Sequence, residues 1–236
     1  ALQTNFSPAS TAYWQQVHLD MAQVMAEAGV RPFLQFGEVQ WWYFPLAGAG
    51  MPFYDDYTMA TFQARYGRPL PVFADGSGLP AQYAEECALL SSLIGEFTNA
   101  VIAFVRQRYA DARFEVLYPP DVNEAPLNQG VNLPRADWTP AKLNCFKTEN
   151  FTFTYARDLN KARASIQLPI DLGFSRLGSS HLVGIGEYTT PWQKEIELSQ
   201  GQGLESVVMF ALDQFCLIGY AWPAAGASAR SLFMGA

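Results

Sequence analysis

The carboxylate of Glu38 stands where a short apolar run ends and a cluster of aromatic residues begins. Residues 32–36 read as a buried strand, and Gly37 lets the backbone turn directly after it. Apolar surroundings disfavour the charged form of a carboxyl group, so they raise its pKa and suit it to general acid catalysis. The alternative is a solvated loop carboxylate beside core aromatics, and this stretch alone leaves both interpretations open.

A second carboxylate, Glu187, ends another apolar run in the same way. Residues 181–185 read as a strand, and the pair Gly186-Glu187 repeats the Gly-Glu order found after the first strand. In a parallel sheet, the carboxyl ends of the strands form the edge where ligands bind. The repeated placement favours an acidic site at that edge, although each carboxylate alone could be an ordinary surface residue. Three further acidic residues follow predicted strands in the same manner: Asp121, Glu149 and Asp213.

Aromatic residues accompany these carboxylates and make up 14% of the chain. Many lie in predicted loops after apolar runs, where flat faces suit a neutral, polar ligand such as a sugar better than a phosphate. Hydrophobic packing is the alternative for every one of these rings. The candidate substrate-binding residues are Gln40, Trp41, Trp42, Tyr118, Asp121, Glu149, Tyr188, Trp192 and Asp213.

Length and composition limit the function classes. The 236 residues suffice for one large domain, and 50% hydrophobic with 16% charged residues indicates a globular chain. The net charge of -7 argues against a nucleic-acid partner, which requires clustered Lys and Arg. We expect no membrane span, because apolar runs are short. No signal peptide is visible, but the chain begins at Ala1, so a leader could have been removed. Localisation is therefore left open between a secreted protein and a part of a larger assembly.

The cysteines and histidines predict neither a zinc site nor another cofactor. Cys87, Cys145 and Cys216 are far apart, and the two histidines show no metal-ligand spacing with them. Each cysteine lies in an apolar context, which is typical of a buried thiol.

The elements that must position the candidate site alternate between helix and strand. A helix predicted over residues 10–28 carries Tyr13, Val17, Met21, Val24 and Met25 at helical spacing, and Gly29 ends it. Predicted strands lie near residues 32–36, 114–118, 143–147, 181–187 and 206–213. Such alternation predicts an α/β fold with a parallel sheet.

The intervening helices have equally clear signals. Residues 81–109 form the longest predicted helix, with Leu90, Ile94, Phe97 and Val101 on its apolar stripe. Asp55 caps a shorter predicted helix inside the irregular region 45–80, and Gly67 ends it. A further helix over residues 156–172 is expected to be interrupted near Pro169.

The two strand-Gly-Glu ends resemble the retaining glycoside hydrolases built on a TIM barrel, in which the acid/base Glu follows strand 4 and the nucleophile Glu follows strand 7. The segment from Phe53 through Tyr66-Gly67 is similar to the insertion after strand 4 of family 42 β-galactosidases. Residues 209–213 resemble the end of strand 8. The resemblance covers most of residues 30–215 and implies a partial (β/α)8 barrel comprising strands 4 to 8, in a single domain over residues 1–236.

Two features depart from that family. Most of its members carry Asn-Glu after strand 4, with the Asn binding the sugar 2-hydroxyl, whereas Gly37 stands there in this chain. Strands 1 to 3 have no counterpart, which leaves sheet edges that other residues, a longer chain or a second copy would have to cover.

The resemblance implies a double displacement on a β-linked saccharide. Glu38 would protonate the glycosidic oxygen and Glu187 would attack the anomeric carbon, which requires carboxyl groups about 5 to 5.5 Å apart. A separation of about 6.5 to 9.5 Å would indicate inversion instead. The alternative is a non-catalytic TIM-barrel-like domain, carbohydrate-binding or structural, within a larger assembly such as a viral tail.

Overall fold

The computed structural model describes residues 4–37, 42, 51–184 and 192–210. The helices within these residues are α1 (Pro8–Glu27), α2 (Asp56–Tyr66), α3 (Ala84–Arg106), α4 (Pro126–Asn132), α5 (Phe151–Tyr155), α6 (Leu159–Asp171), a 3-10 turn (Arg176–Gly178) and α7 (Trp192–Gly201). The strands are β1 (Phe33–Phe36), β2 (Arg113–Tyr118), β3 (Cys145–Glu149), β4 (Ser179–Gly184) and β5 (Ser206–Phe210).

The chain forms two compact units. Unit 1 comprises Ala1–Leu117 and Val122–Asn144, and unit 2 comprises Tyr118–Asp121 and Cys145–Ala236. In unit 1, β1 runs parallel to β2. In unit 2, β3, β4 and β5 run parallel in chain order. Parallel strands that alternate with helices confirm the predicted α/β class.

Helix α3 supplies the core of unit 1, as predicted from its apolar stripe. Leu90, Ile94, Phe97 and Val101 are all buried. The Phe97 ring lies 6.3 Å from that of Phe36 on β1, so the helix covers one face of this strand. By length and composition alone, α3 could span a membrane, yet it packs as the core helix of unit 1.

Helix α1 begins earlier than predicted, because Ser7 caps it and neither Ser10 nor Thr11, the two caps that the sequence suggests, does so. The Ser10 N–H donates to Ser7 Oγ at 3.2 Å, and Pro8 occupies the first turn, where its missing N–H costs no hydrogen bond. Gly29, with φ of +75°, follows the end of the helix as predicted.

The buried face of α1 is not the row of apolar residues that the sequence singles out. His18 and Ala22 are buried, and the His18 ring lies 5.0 Å from that of Phe36. Tyr13, Met21 and Val24 are exposed instead. Both sets of residues, the one with Tyr13 and the one with His18, repeat at helical spacing. The helix packs on β1 through the set that contains His18, so that set is buried.

The short helix α2 is confirmed with both of its ends. The Asp55 side chain accepts from the Thr58 N–H at 3.1 Å, and Gly67 adopts a left-handed φ of 70° after the last turn. Asp55 is therefore the helix cap that the sequence predicts.

Unit 2 differs from prediction at two places. Strand β3 ends at Glu149, two residues later than expected, so Glu149 lies in the strand and not after it. The predicted helix break is not at Pro169, which lies inside α6. The break falls between α5 and α6, where Arg157 has a left-handed φ of 59°. Pro169 is tolerated near the end of α6, where few turns remain to be disturbed.

Candidate functional site

The predicted catalytic pair lies outside the described residues. Glu38 comes two positions after the end of β1, and Glu187 comes three positions after the end of β4. Gln40, Trp41, Tyr188 and Asp213 also lie outside the described residues. The role of these six residues and the carboxyl-to-carboxyl separation therefore stay predictions.

Trp42 is fixed in the core of unit 1. Its ring centroid lies 4.6 Å from that of Phe6 and 5.9 Å from that of Phe53. Its backbone forms two hydrogen bonds with one side chain: the Trp42 N–H donates to Asn132 Oδ1 at 2.9 Å, and Asn132 Nδ2 donates to the Trp42 carbonyl at 2.7 Å. The same Nδ2 donates to Asn123 Oδ1 at 2.9 Å. This amide holds the chain shortly after β1 as a neighbouring strand would.

Tyr118 and Trp192 are buried in unit 2. The Tyr118 ring lies 5.9 Å from that of Phe146. Trp192, the first residue of α7, packs in one apolar cluster with Val183 and Ile196. For the three described aromatic candidates, the structure thus places the rings in hydrophobic packing, which is the alternative that the sequence left open.

The two described acidic candidates take different positions in unit 2. Asp121 Oδ2 accepts from the Thr152 N–H at 2.7 Å, so this carboxylate ties the chain after β2 to the first turn of α5. Glu149 is buried at the end of β3, on the same face of the strand as the buried Lys147. Thr148 between them points to the opposite face, toward His181.

A fully buried polar cluster joins β3, β4, α5 and α7. His181 Nε2 lies 2.7 Å from Glu195 Oε1, and His181 Nδ1 lies 2.8 Å from Thr148 Oγ1. Glu195 Oε2 accepts from Thr154 Oγ1 at 2.5 Å. Asn150, directly after β3, lies 2.9 Å from Thr154 Oγ1 through its Oδ1 and 3.4 Å from His181 Nε2 through its Nδ2. We refer to these five residues as the His181 cluster.

Both nitrogens of the His181 ring have partners within the cluster. With its proton on Nε2, His181 donates to the Glu195 carboxylate and accepts the Thr148 hydroxyl at Nδ1. Buried polar groups are costly unless paired, so each contact depends on the others. The cluster thereby fixes the position of α7 against β4.

The order hydroxyl, imidazole and carboxylate is also that of a nucleophilic triad. Thr148, His181 and Glu195 are nevertheless all buried, so a substrate has no access to the hydroxyl. The cluster therefore joins the described elements β3, β4, α5 and α7.

Sequence reasoning missed the His181 cluster, although two signals point to it. His181 stands within an apolar strand, and Glu195 shares the helical face of Trp192, Ile196 and Ser199, at i, i+3, i+4 and i+7. A charged residue at a core position requires a buried partner.

Among the residues described by the structure, no group of His, Cys, Asp or Glu side chains is arranged to hold a metal ion. Cys87 and Cys145 are buried, as predicted, and Cys216 lies outside the described residues.

The fold is similar to that of two solved structures. The catalytic domain of β-amylase from Paenibacillus polymyxa superposes with a TM-score of 0.63 at 10% identity, covering 88% of this chain and 64% of that one. The PgaB (BpsB) glycoside hydrolase domain from Bordetella bronchiseptica gives a TM-score of 0.61 at 12% identity, covering 89% and 59%. The chain thus spans under two thirds of each, and these matches confirm a partial TIM-barrel fold. They do not single out family 42.

Sequence comparison identifies the family. No curated protein matches the chain significantly. The family model described as "Non-contractile tail sheath protein TIM barrel" matches residues 1–220. Because that match spans most of the 236 residues, the chain belongs to the family of non-contractile tail sheath protein TIM barrels.

Proposed function

We propose that this chain is a non-catalytic TIM-barrel domain that serves as a structural module of a non-contractile tail sheath. The family match over residues 1–220 carries the proposal. In this role the barrel presents surfaces to neighbouring subunits, and its strand ends need not perform chemistry.

The environment of the candidate sugar-binding rings supports a structural role. Trp42, Tyr118 and Trp192 are buried among other apolar side chains, so none of them offers an open ring face to a saccharide. Gly37 stands where most of the retaining glycoside hydrolases that the chain resembles carry the Asn that binds the sugar 2-hydroxyl, so that amide is missing here. Stabilisation of the fold accounts for these aromatic residues without a ligand.

A second candidate function is retaining hydrolysis of a β-linked saccharide by Glu38 and Glu187. The two strand-Gly-Glu ends favour it, and the two solved structures compared above are a β-amylase catalytic domain and a glycoside hydrolase domain. At 10% and 12% identity that likeness concerns the fold alone, so the two glutamates carry this candidate by themselves. A domain that binds carbohydrate without hydrolysing it would lie between the structural module and the hydrolase.

Immunogold electron microscopy tests the structural role. Antibodies against residues 1–236 should decorate intact tail particles along the sheath. Absence of label from particles whose tails are intact, with the protein found only in the soluble fraction, would overturn the structural proposal.

Hydrolysis is tested separately with a panel of β-linked chromogenic glycosides. The structural proposal predicts no turnover. Turnover that disappears in both Glu38→Gln and Glu187→Gln, but persists in Glu96→Gln, would establish the second candidate instead. Glu96 is a matched control because it is an exposed carboxylate on α3.

A further inference from the structure

The contacts of β4 and β5 show which face of the sheet in unit 2 is turned toward α7. Val183 on β4 belongs to the apolar cluster of α7, and Met209 on β5 packs against the same cluster. Side chains alternate between the two faces along a strand. Gly184 and Phe210, each the next residue along its strand, therefore belong to the face opposite α7.

Phe151, the first residue of α5, places its ring on the face opposite α7. A Cβ atom at Gly184 would overlap the Phe151 ring, so the ring fills the space in which a side chain at that position would stand. Only glycine permits so close an approach. The Thr152 N–H beside the ring donates to Asp121 Oδ2 at 2.7 Å, which fixes the start of α5. Phe151 is half-buried, so part of its side chain remains on the surface.

Phe210 stands next to this ring on the neighbouring strand. Gly184 and Phe210 are partners in the register of the parallel pair β4 and β5. Because neighbouring strands lie about 4.7 to 4.9 Å apart, the Phe210 side chain begins about 5 Å from the space that the Phe151 ring fills. Phe210 is 55% exposed. The two side chains thus form one aromatic surface, and we call Phe151 and Phe210 the phenylalanine pair.

The phenylalanine pair lies at the carboxyl edge of the sheet. Gly184 and Phe210 are the last residues of β4 and β5, and Phe151 comes two positions after the end of β3. In parallel α/β sheets, ligands bind outside the carboxyl ends of the strands. Single exposed apolar residues are normal, whereas neighbouring exposed rings at this edge indicate an interaction site.

A carboxylate lies beneath the phenylalanine pair on the same face of the sheet. Glu149 ends β3 and faces away from α7, because its neighbour Thr148 points to His181 on the other face. Glu149 is the register partner of Leu182, which precedes Gly184 by two residues, so it lies one row of side chains below the pair. The net charge of -7 disfavours ligands that carry phosphate. Flat apolar rings above an oxygen acceptor therefore suit a neutral ligand with hydroxyl groups.

We propose that the phenylalanine pair is a stacking platform for a neutral saccharide. A pyranose ring has an apolar face of C–H groups, which packs on aromatic rings, and hydroxyl groups around its rim, which require polar partners. Glu149 supplies an acceptor on the side of the platform that faces the sheet. The inference requires neither turnover by Glu38 and Glu187 nor assembly into a sheath, so it is independent of both functions proposed above.

Saturation-transfer difference NMR of residues 1–236 with neutral saccharides tests the proposal. The probes are glucose, galactose, N-acetylglucosamine and their β-linked dimers at millimolar concentration. Irradiation of the aromatic protons of the protein should transfer magnetisation to the ring C–H protons of at least one of these sugars. Phe210→Ala should weaken the binding of that sugar about twofold to tenfold, as measured by titration, because one stacked ring is lost.

Gly184→Ala is a second variant, which retains both rings. Its methyl group should displace the Phe151 ring and weaken sugar binding although no aromatic group is removed. Leu177→Ala is the matched control, since Leu177 is 66% exposed and precedes β4 at the opposite edge of the same sheet. This control should bind the sugar as the wild type does. Circular dichroism verifies that each variant is folded.

Three results would overturn the proposal. The first is a folded wild-type protein that binds none of the saccharides. The second is sugar binding that Phe210→Ala and Gly184→Ala both leave unchanged, which would place the site elsewhere on the molecule. The third is self-association, seen by light scattering, that Phe210→Ala abolishes and that saccharides do not affect, which would assign the pair to a contact between copies. Labelling of tail particles is a separate measurement, so failure of this proposal is distinguishable from failure of the structural role.

Discussion

Removal of the Glu195 side chain should destabilise unit 2 far more than removal of a carboxylate two residues away. In Glu195→Ala, His181 Nε2 and Thr154 Oγ1 each lose a partner that lies 2.7 Å and 2.5 Å away, in a site without access to water. Breaking a buried pair by deletion of one member costs about 3 to 5 kcal/mol, because the remaining polar groups stay buried and unpaired.

Glu197→Ala is the matched control on the same helix. Glu197 pairs with Lys194 at 2.7 Å, but both side chains are about half exposed, so the pair contributes about 0 to 1 kcal/mol. For a chain of this size, one kcal/mol shifts the melting temperature by about 2 to 4 °C. The expected shifts are therefore about 6 to 20 °C for Glu195→Ala and less than about 4 °C for Glu197→Ala.

Urea unfolding followed by far-UV circular dichroism gives both free energies, and near-UV spectra verify that the variants are folded before denaturant is added. Glu195→Gln separates charge from hydrogen bonding, since an amide retains an acceptor for His181 and should cost less than the alanine. Indistinguishable midpoints for Glu195→Ala and Glu197→Ala would refute the argument that the His181 cluster holds α7 in place.

Three other outcomes are expected from buried side chains. Phe97→Ala should lower the free energy of unfolding by about 3 to 5 kcal/mol, and an unchanged urea midpoint would contradict the described packing of α3. Burial raises the pKa of the Cys87 thiol from 9.0 to about 11, so native protein at pH 8 should alkylate at Cys87 only after unfolding, and stability should fall from about pH 9 to 11 as the unfolded thiol ionises first. Rapid labelling of Cys87 in native protein would show this wrong. Burial lowers the pKa of His18 below 6.5, so its contribution to stability is present above pH 6.5 and is lost as the pH falls through the folded pKa. His18→Gln should therefore lose less stability than the wild type between pH 7.5 and pH 5, as measured by the urea midpoints at the two pH values. An equal loss of stability in both proteins would contradict this prediction.

Elements with strong local signals could be predicted from the sequence. The stripe of α3 spans six turns, and the cap and glycine of α2 specify its ends, so both helices agree with expectation. The predicted start of α1 is too late, although Ser7-Pro8 carries the signal of an N-cap followed by a first-turn proline. The break at Arg157 could not be predicted, because a left-handed arginine has no sequence signature comparable to that of glycine.

The local sequence pattern does not show which of two apolar faces of a helix is buried. On α1, the row with Tyr13 and the row with His18 have the same period, and only the position of β1 decides which is buried. The His181 cluster is missed for the same reason. Its members come from four elements, and a contact such as that between His181 and Glu195 depends on the placement of α7 over β4.

The two candidate glutamates Glu38 and Glu187 precede buried tryptophans at similar spacing in the sequence. Each is followed within five residues by a buried tryptophan, Trp42 or Trp192. In unit 1, the Asn132 side chain forms hydrogen bonds with the backbone of Trp42. In unit 2, the His181 cluster holds α7, the helix that begins at Trp192. A catalytic carboxylate needs such rigid support, and so does a surface that must fit a neighbouring subunit. These buried tryptophans therefore do not distinguish hydrolysis from assembly, and the carboxylates themselves must. If the chain were a hydrolase, substitution of both glutamates by glutamine would abolish turnover, whereas a purely structural barrel with the same substitutions would still join the sheath.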